Sequence, residues 1–235
     1  MKQIPNIITC LNLLAGCMAC VMALKIDSYL GAFIFILIAA VFDFLDGFAA
    51  RLLKAYSKIG AQLDSLADVI SFGAAPGFIV FSYLSATATH TMLSNSLPML
   101  AFLIPVFAAV RLAKFNVDTR QTEHFLGLPV PANGIFWGAF VLALYSYSTL
   151  SPNTEAIIII VLVLIFSLLM VSEIPMFSLK FKNMALKGNE WPFTYIILAV
   201  ITMIIFAGIG LILGGICAVI LLYILMSIIK SVLIK

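Results

Sequence analysis

Four aspartates, Asp43, Asp46, Asp64 and Asp68, share the stretch DFLDGFAARLLKAYSKIGAQLDSLAD at residues 43–68. The first two are three residues apart and the last two four apart, so on helices each pair presents both carboxylates to one face. Between the pairs, RLLKAYSKIG is basic and ends at Gly60. Such a turn would bring the end of one helix beside the start of the next, and four carboxylates would meet between them. Like charges that close repel unless a cation joins them. Carboxylate-only ligation selects hard cations, Mg²⁺, Mn²⁺ or Ca²⁺, over zinc or copper, because no histidine or thiolate is at hand. Four carboxylates can hold two such ions about 3.5–4 Å apart, a geometry that clamps a phosphate during in-line displacement. Gly47 and Ala50 lie on one helical face and leave a trough where a flat group reaches the backbone. Gly60, one turn before Asp64, could do the same across the gap, and Arg51 can bind phosphate oxygens bidentately. Together these residues describe a pyrophosphate site. The plainer alternative is a set of helix-end aspartates in water, neutral or paired with Arg51, Lys54 and Lys58.

The elements that must position these residues are lipid-soluble. Of 235 residues, 64% are hydrophobic and 10% charged, and mean hydropathy is +1.21, far from the roughly 45–50% apolar and about 25% charged of a soluble domain. An isolated charge at the centre of a membrane helix costs at least about 2.5–3.5 kcal/mol, which sharpens the demand for a cation. The start MKQIPNIITCLNLLAG has no small-residue cleavage site, so the first apolar segment is expected to remain as a helix. Apolar windows fall near 5–24, 29–50, 61–85, 96–113, 132–150, 154–172, 192–207 and 210–230. The last two require a tight turn in GIGLILGG, since the stretch is too long for one span of about 20 residues. The expected fold is all-α, a polytopic bundle of about eight transmembrane helices. With the N-terminus cytoplasmic, twelve of the thirteen basic residues fall on the cytoplasmic side and only Lys25 outside, which is the positive-inside bias. Both termini and the aspartate cluster then face the cytoplasm.

Other features carry less. The net charge of +3 is small, and no basic run is dense enough for nucleic acid; the basic loops suit topology and anionic headgroups. Cys17 and Cys20 form a CxxC on an apolar helix with no second pair, which reads as packing. His90 reads as a solvated loop residue, and His124 lies near a basic loop. Gly210 and Gly214 form a GxxxG that reads as helix packing or a dimer face.

Asp43-x-x-Asp46-Gly47-x-x-Ala50-Arg51, then eight residues, then Gly60-x-x-x-Asp64-x-x-x-Asp68 resembles in full the signature of the CDP-alcohol phosphotransferases. PNIITCLNLLAG (5–16), SLADVISFGAAPG (65–77), RLAKFNV (111–117) and GLPVPANG (127–134) further resemble the phosphatidylserine synthase branch, so that the likeness spans roughly the first 140 residues. The resemblance implies a helical membrane enzyme, usually a homodimer, that displaces CMP from a CDP-linked donor with an alcohol. It implies that Asp43, Asp46 and Asp64 hold metal, that Asp68 also lies at the metal and acts as general base, and that Gly47 and Ala50 receive the cytidine. A six-helix core at 1–175 is expected, with a loop and two further helices at 176–235.

For the acceptor, serine needs a cation for its carboxylate. Arg111, Lys114 and Asn116 are placed level with the aspartates and are the candidates, with Asn133 and Ser71 for further polar contacts; positive-inside anchoring is the competing explanation for Arg111 and Lys114. Asn6, Thr9 and Asn12 share a face of the first helix and either line the nucleotide pocket or bond between helices. The expected reaction is transfer of the phosphatidyl group of CDP-diacylglycerol to L-serine, with two Mg²⁺ or Mn²⁺ ions, at the cytoplasmic face of an inner or plasma membrane. Glycerol 3-phosphate or inositol phosphate is the alternative acceptor, though either would need a denser basic pocket. A divalent-cation or proton transporter is the alternative of another class; transporters more often show repeated halves and broken helices.

Overall fold

The computed structural model describes residues 3–25, 28–88, 96–117, 125–177 and 189–233. Lys2, His90, Arg120, His124, Lys180, Lys182, Lys187 and Lys235, which entered the charge and histidine readings, lie outside the described residues. Helix α1 (Ile4–Ala23) opens with Pro5 in its first turn, where a missing N–H costs no hydrogen bond. Its buried residues, Thr9, Asn12, Ala15, Gly16, Ala19 and Ala23, recur every three or four positions and are mostly small. Helix α2 (Tyr29–Leu52) packs along it with Ala32, Phe33, Ile36 and Ala39 buried. Lipid gives apolar helices no reason to associate, so close approach of small residues must supply the packing.

Helix α3 (Lys58–Asp68), a π-helical segment (Val69–Ala74) and α4 (Ala75–Ala88) run on as one rod. A 3₁₀ turn at Leu97–Phe102 leads into α5 (Leu103–Val117), followed by α6 (Val130–Tyr147), α7 (Pro152–Val171), α8 (Glu190–Gly208) and α9 (Ile212–Leu233). The connections on either side of α6 and α7 meet in a two-residue antiparallel ladder, Phe125–Leu126 with Pro175–Met176. Among the described residues, seven helical stretches are long and apolar enough to cross a membrane. The eighth, α6, lies at the expected place but carries Pro131, Asn133 and two tyrosines. It packs against α2, α4, α9 and the π segment, and Phe136 and Trp137 are fully buried with Phe136 stacked on Phe166 at 4.2 Å. A helix shielded by its neighbours has no need of a lipid-soluble surface, so it can carry a buried polar residue such as Asn133. The all-α polytopic bundle is as expected.

The π segment is where the bundle is tightest. A Cβ on Gly16 of α1 would lie 2.7 Å from Ser71 Cα, and one on Gly134 of α6 would lie 2.9 Å from Phe72 Cα. On the third side a Cβ on Gly73 would lie 3.2 Å from Pro105 Cα of α5. Glycines thus let three helices close on a segment that begins directly after Asp68, and π turns recur at functional sites because they re-aim side chains.

At the other end of the chain, the GxxxG reading is corrected. Gly210 sits in the α8–α9 turn at φ +76°, a left-handed conformation that suits glycine, while Gly214 lies inside α9, where a Cβ would be 3.2 Å from Phe206 Cε1 of α8. The two glycines share no helical face, and the second serves contact within the hairpin.

Candidate active site

The turn between α2 and α3 is built locally. Leu53 N–H donates to the Ala49 carbonyl and Ala55 N–H to the Ala50 carbonyl at 3.0 Å, with Lys54 between them in the left-handed region at φ 48°; this closes the C-terminus of α2. Ser57 then caps α3, its hydroxyl accepting from Gly60 N–H at 2.9 Å. The turn folds α3 back so that its first residues meet the last turns of α2.

Three of the four aspartates meet between α2 and α3. Asp43, Asp64 and Asp68 each bring a carboxylate oxygen to within 4.8 Å of the others. Asp46 stands apart from that triad and lines the adjoining cleft with Asp64. Asp46 and Asp68 are buried, and Asp46 Oδ2 and Asp64 Oδ1 have no hydrogen-bond partner. Asp68 is held from α1, where Asn12 Nδ2 donates to its Oδ1 at 3.3 Å. The Asn12 carbonyl in turn accepts from the Ser71 hydroxyl at 3.1 Å, which ties α1 to the π segment.

Buried carboxylate oxygens without partners are expensive. An all-oxygen donor set with such orphaned atoms fits a hard divalent cation, which takes oxygen ligands and tolerates bridging carboxylates. Asp43, Asp64, Asp68 and Asp46 could hold it.

Beside the triad a cleft of about 190 Å³ is lined by Pro5, Asn6, Thr9, Asp46, Gly47, Ala50, Ala55, Tyr56, Ser57, Gly60, Ala61 and Asp64. Gly47 is open: the nearest atom to a Cβ there would be Arg51 Nη1 at 3.8 Å, so the guanidinium stands at the rim. Gly60 is confined instead, since a Cβ would lie 2.9 Å from both Asn6 Oδ1 and Ser57 Oγ. The polar face of α1 is divided, with Asn6 and Thr9 on the cleft and Asn12 deeper, on Asp68. Tyr56 was not singled out from the sequence; it is 73% exposed yet lines the cleft, and only the fold of the turn brings it there.

The candidates for the acceptor separate. Arg111 is buried with its Nε unpartnered and within electrostatic reach of Asp68. Asn133 is fully buried; its Oδ1 accepts from Trp137 Nε1 at 3.1 Å while its Nδ2 has no partner. Lys114 is exposed and donates to the Val171 carbonyl at 3.4 Å, at the C-terminus of α7. Asn116 donates to the Ser65 hydroxyl at 3.0 Å, tying α5 to α3. Ser71 is committed to Asn12.

Comparison with known proteins follows this geometry. Residues 2–171 match the family model described as CDP-alcohol phosphatidyltransferase. The CDP-diacylglycerol–serine O-phosphatidyltransferase of Helicobacter pylori is 34% identical over 172 residues, 72% of this chain and 70% of that protein. The protein of the same name from Methanocaldococcus jannaschii is 31% identical over 171 residues, 73% of this chain and 72% of its own. Archaetidylserine synthase of Methanothermobacter thermautotrophicus is 35% identical over 164 residues, 68% of this chain and 66% of its own. With its four aspartates gathered between α2 and α3 and the family model covering both helices, the chain belongs to the CDP-alcohol phosphatidyltransferases.

Proposed function

We propose that this enzyme transfers the phosphatidyl group of CDP-diacylglycerol to the hydroxyl of L-serine, giving phosphatidylserine and CMP. The observation that carries the chemistry is the convergence of Asp43, Asp64 and Asp68 within 4.8 Å beside a small-residue cleft. Serine is favoured as acceptor by the names of the relatives. Two buried donors without partners, Arg111 Nε and Asn133 Nδ2, on helices that both pack on the π segment, agree with it. Lys114 and Asn116 are engaged elsewhere, so the carboxylate clamp is read as Arg111 with Asn133.

The four aspartates would hold two divalent cations, Mg²⁺ or Mn²⁺, which when bound would supply neutralisation of the pyrophosphate and of the departing CMP. The cleft receives the cytidine: Gly47 and Ala50 let the ring approach the backbone, Asn6 and Thr9 offer polar edges, and Tyr56 gives a stacking face. Arg51, at the rim, binds a phosphate oxygen. Asp68 takes the proton of the serine hydroxyl, the oxygen forms a bond to the β-phosphorus, and the bond from that phosphorus to CMP breaks. Asn12 prepares this step by fixing one oxygen of Asp68, which leaves the other for the proton. The serine carboxylate on Arg111 and Asn133 sets the distance and angle of attack, which in a buried site supplies much of the rate enhancement.

Arg51, Lys54, Lys58, Arg111 and Lys114 cluster at the aspartate end, whereas Lys25 lies past the far end of α1; by the positive-inside rule this supports a site at the cytoplasmic face. The match ending at 171 supports a catalytic core of 1–175 with 176–235 as an addition, and the family resemblance supports a homodimer. The test is release of CMP from CDP-diacylglycerol by purified protein with Mg²⁺ or Mn²⁺, comparing L-serine, glycerol 3-phosphate, inositol phosphate and no acceptor. Serine-dependent release that Asp68→Asn removes is the expected result. Release with another acceptor instead would keep the mechanism and discard the serine pocket.

A further inference from the structure

The amide that holds the proposed base is only half used. Asn12 is fully buried on α1, and its Nδ2 donates to Asp68 Oδ1 at 3.3 Å. An ionised carboxylate only accepts, so this bond fixes which arm of the amide faces the aspartates: the N–H arm, with the oxygen on the other. The backbone beneath is fixed as well. The Ser71 hydroxyl donates to the Asn12 carbonyl at 3.1 Å, and Gly16, one turn on, admits the Ser71 backbone, since a Cβ there would lie 2.7 Å from Ser71 Cα. Yet Asn12 Oδ1 is buried without a partner, and a buried acceptor left so costs about 1–3 kcal/mol.

The polarity of two further orphaned atoms says what would satisfy it. Helices α1, α5 and α6 all pack on the π segment that follows Asp68. Each brings a buried side chain with one unpartnered atom: an acceptor, Asn12 Oδ1, from α1, and donors, Arg111 Nε and Asn133 Nδ2, from α5 and α6. Donors suit a carboxylate, and a lone acceptor suits an ammonium. In L-serine the ammonium sits on the carbon next to the one that bears the hydroxyl. A hydroxyl placed on Asp68 therefore leaves the ammonium within reach of the amide bonded to Asp68. A carbonyl oxygen there attracts an ammonium and repels the phosphate of a phosphorylated alcohol.

We propose that Asn12 selects the acceptor as well as supporting the base: its Oδ1 accepts from the serine ammonium while its Nδ2 holds Asp68. One amide then joins recognition of an amino alcohol to the readiness of the base. This rests on the reading of L-serine as acceptor.

The experiment uses the full chain in detergent with Mg²⁺ and measures CMP release from CDP-diacylglycerol. It yields the KM for L-serine and the Ki values of 3-hydroxypropionate, which lacks the ammonium, and of ethanolamine, which lacks the carboxylate. In Asn12→Ala protein the serine KM and the ethanolamine Ki should each rise about tenfold, the scale of one hydrogen bond to a charged group, while the 3-hydroxypropionate Ki holds. Loss of support for Asp68 lowers kcat in either case, so kcat does not decide. Arg111→Lys should show the complementary pattern, raising the constants for serine and 3-hydroxypropionate but not for ethanolamine. The Mg²⁺ concentration at half-maximal rate should be the same with and without Asn12. A serine KM unaffected by Asn12→Ala, an equal rise in all three constants, or a raised Mg²⁺ requirement, which would make Asn12 Oδ1 a metal ligand, overturns the proposal. So does an original protein that binds 3-hydroxypropionate as tightly as serine. If the alanine variant does not fold, Asn12→Ser is read by the same criteria. Absence of serine-dependent release in the original protein would instead fell the acceptor reading itself.

Discussion

The bundle buries carboxylates at both ends and treats them differently. At the far end, Glu155 sits in the first turn of α7, where the helix dipole favours a negative charge, and accepts from the Tyr83 hydroxyl at 2.7 Å. Tyr29 packs edge-on against both Tyr83 and Tyr145, closing the cluster. Tyr83 lies fifteen residues beyond Asp68 on the same rod, about 22 Å away at 1.5 Å per residue. At the near end, Asp46 and Asp64 keep buried oxygens with no partner, and Asn12, Arg111 and Asn133 each keep an unpartnered atom as well; none belongs to Glu155 or Tyr83. One end is a finished hydrogen-bonded joint between α4 and α7. The other is a joint left open for something that is not protein.

That contrast is broken most directly by swapping charges for amides. Asp68→Asn should lower kcat about 10²–10⁴-fold, the usual range for losing a general base, and in metal-free protein it should not lower the melting temperature, because a buried like charge leaves the cluster. Glu155→Gln should do the opposite, leaving kcat and both KM values unchanged and melting earlier. Turnover and thermal unfolding of both variants in one detergent decide it; equal activity losses would make the two ends alike. Chelation should likewise abolish turnover of the original protein, with recovery on adding Mg²⁺ or Mn²⁺, and should lower its melting temperature, since a ligand bound only by the folded state stabilises it.

A smaller effect tests the cleft beside the open end. Tyr56→Ala removes a stacking face that is worth about 1–3 kcal/mol per base in other sites. The KM for CDP-diacylglycerol should rise by about 5- to 150-fold while the KM for serine holds. A change in serine KM alone would move Tyr56 from the nucleotide to the acceptor.

The open end was the more legible of the two in the sequence. Its aspartates announce themselves because helical spacing puts Asp43 with Asp46 and Asp64 with Asp68 on common faces, and one short turn joins the pairs. The eight helical stretches were readable for the same local reason. Asn12 and Asp68 are 56 residues apart and Tyr83 and Glu155 are 72 apart, so their pairing depends on which helices become neighbours, which periodicity does not state. The π turn after Asp68 was hidden too, because Gly16 on α1, Gly134 on α6 and Gly73 within the segment itself create the room for it and its neighbours. Gly210 and Gly214 misled because a GxxxG spacing has meaning only if one helix contains both.

The closed end has its own expected magnitude. Removing the carboxylate with Glu155→Ala leaves the buried Tyr83 hydroxyl without its acceptor, and a buried group deprived of its partner costs about 1–3 kcal/mol. Pairing it with Tyr83→Phe should return part of that loss, because no donor is then left unsatisfied. Unfolding of the two single variants and the double variant measures the coupling; simple additivity would mean that the pair is not a joint.

The smallest effect sharpens the comparison at the turn between the two aspartate helices. Lys54 holds φ at 48°, a conformation that strains any side chain with a Cβ, by roughly 1–2 kcal/mol, and glycine adopts it freely. Lys54→Gly should therefore raise stability by up to about 1 kcal/mol, after the greater chain entropy of glycine in the unfolded state is set against the relief. Since Lys54 does not line the cleft, kcat and both KM values should hold. A stabilised protein with unchanged turnover would show that the strain is only the cost of a tight turn. A stabilised protein with slower turnover would show that the turn must give way as the nucleotide enters or leaves, and the open end would then be mobile as well as unsatisfied.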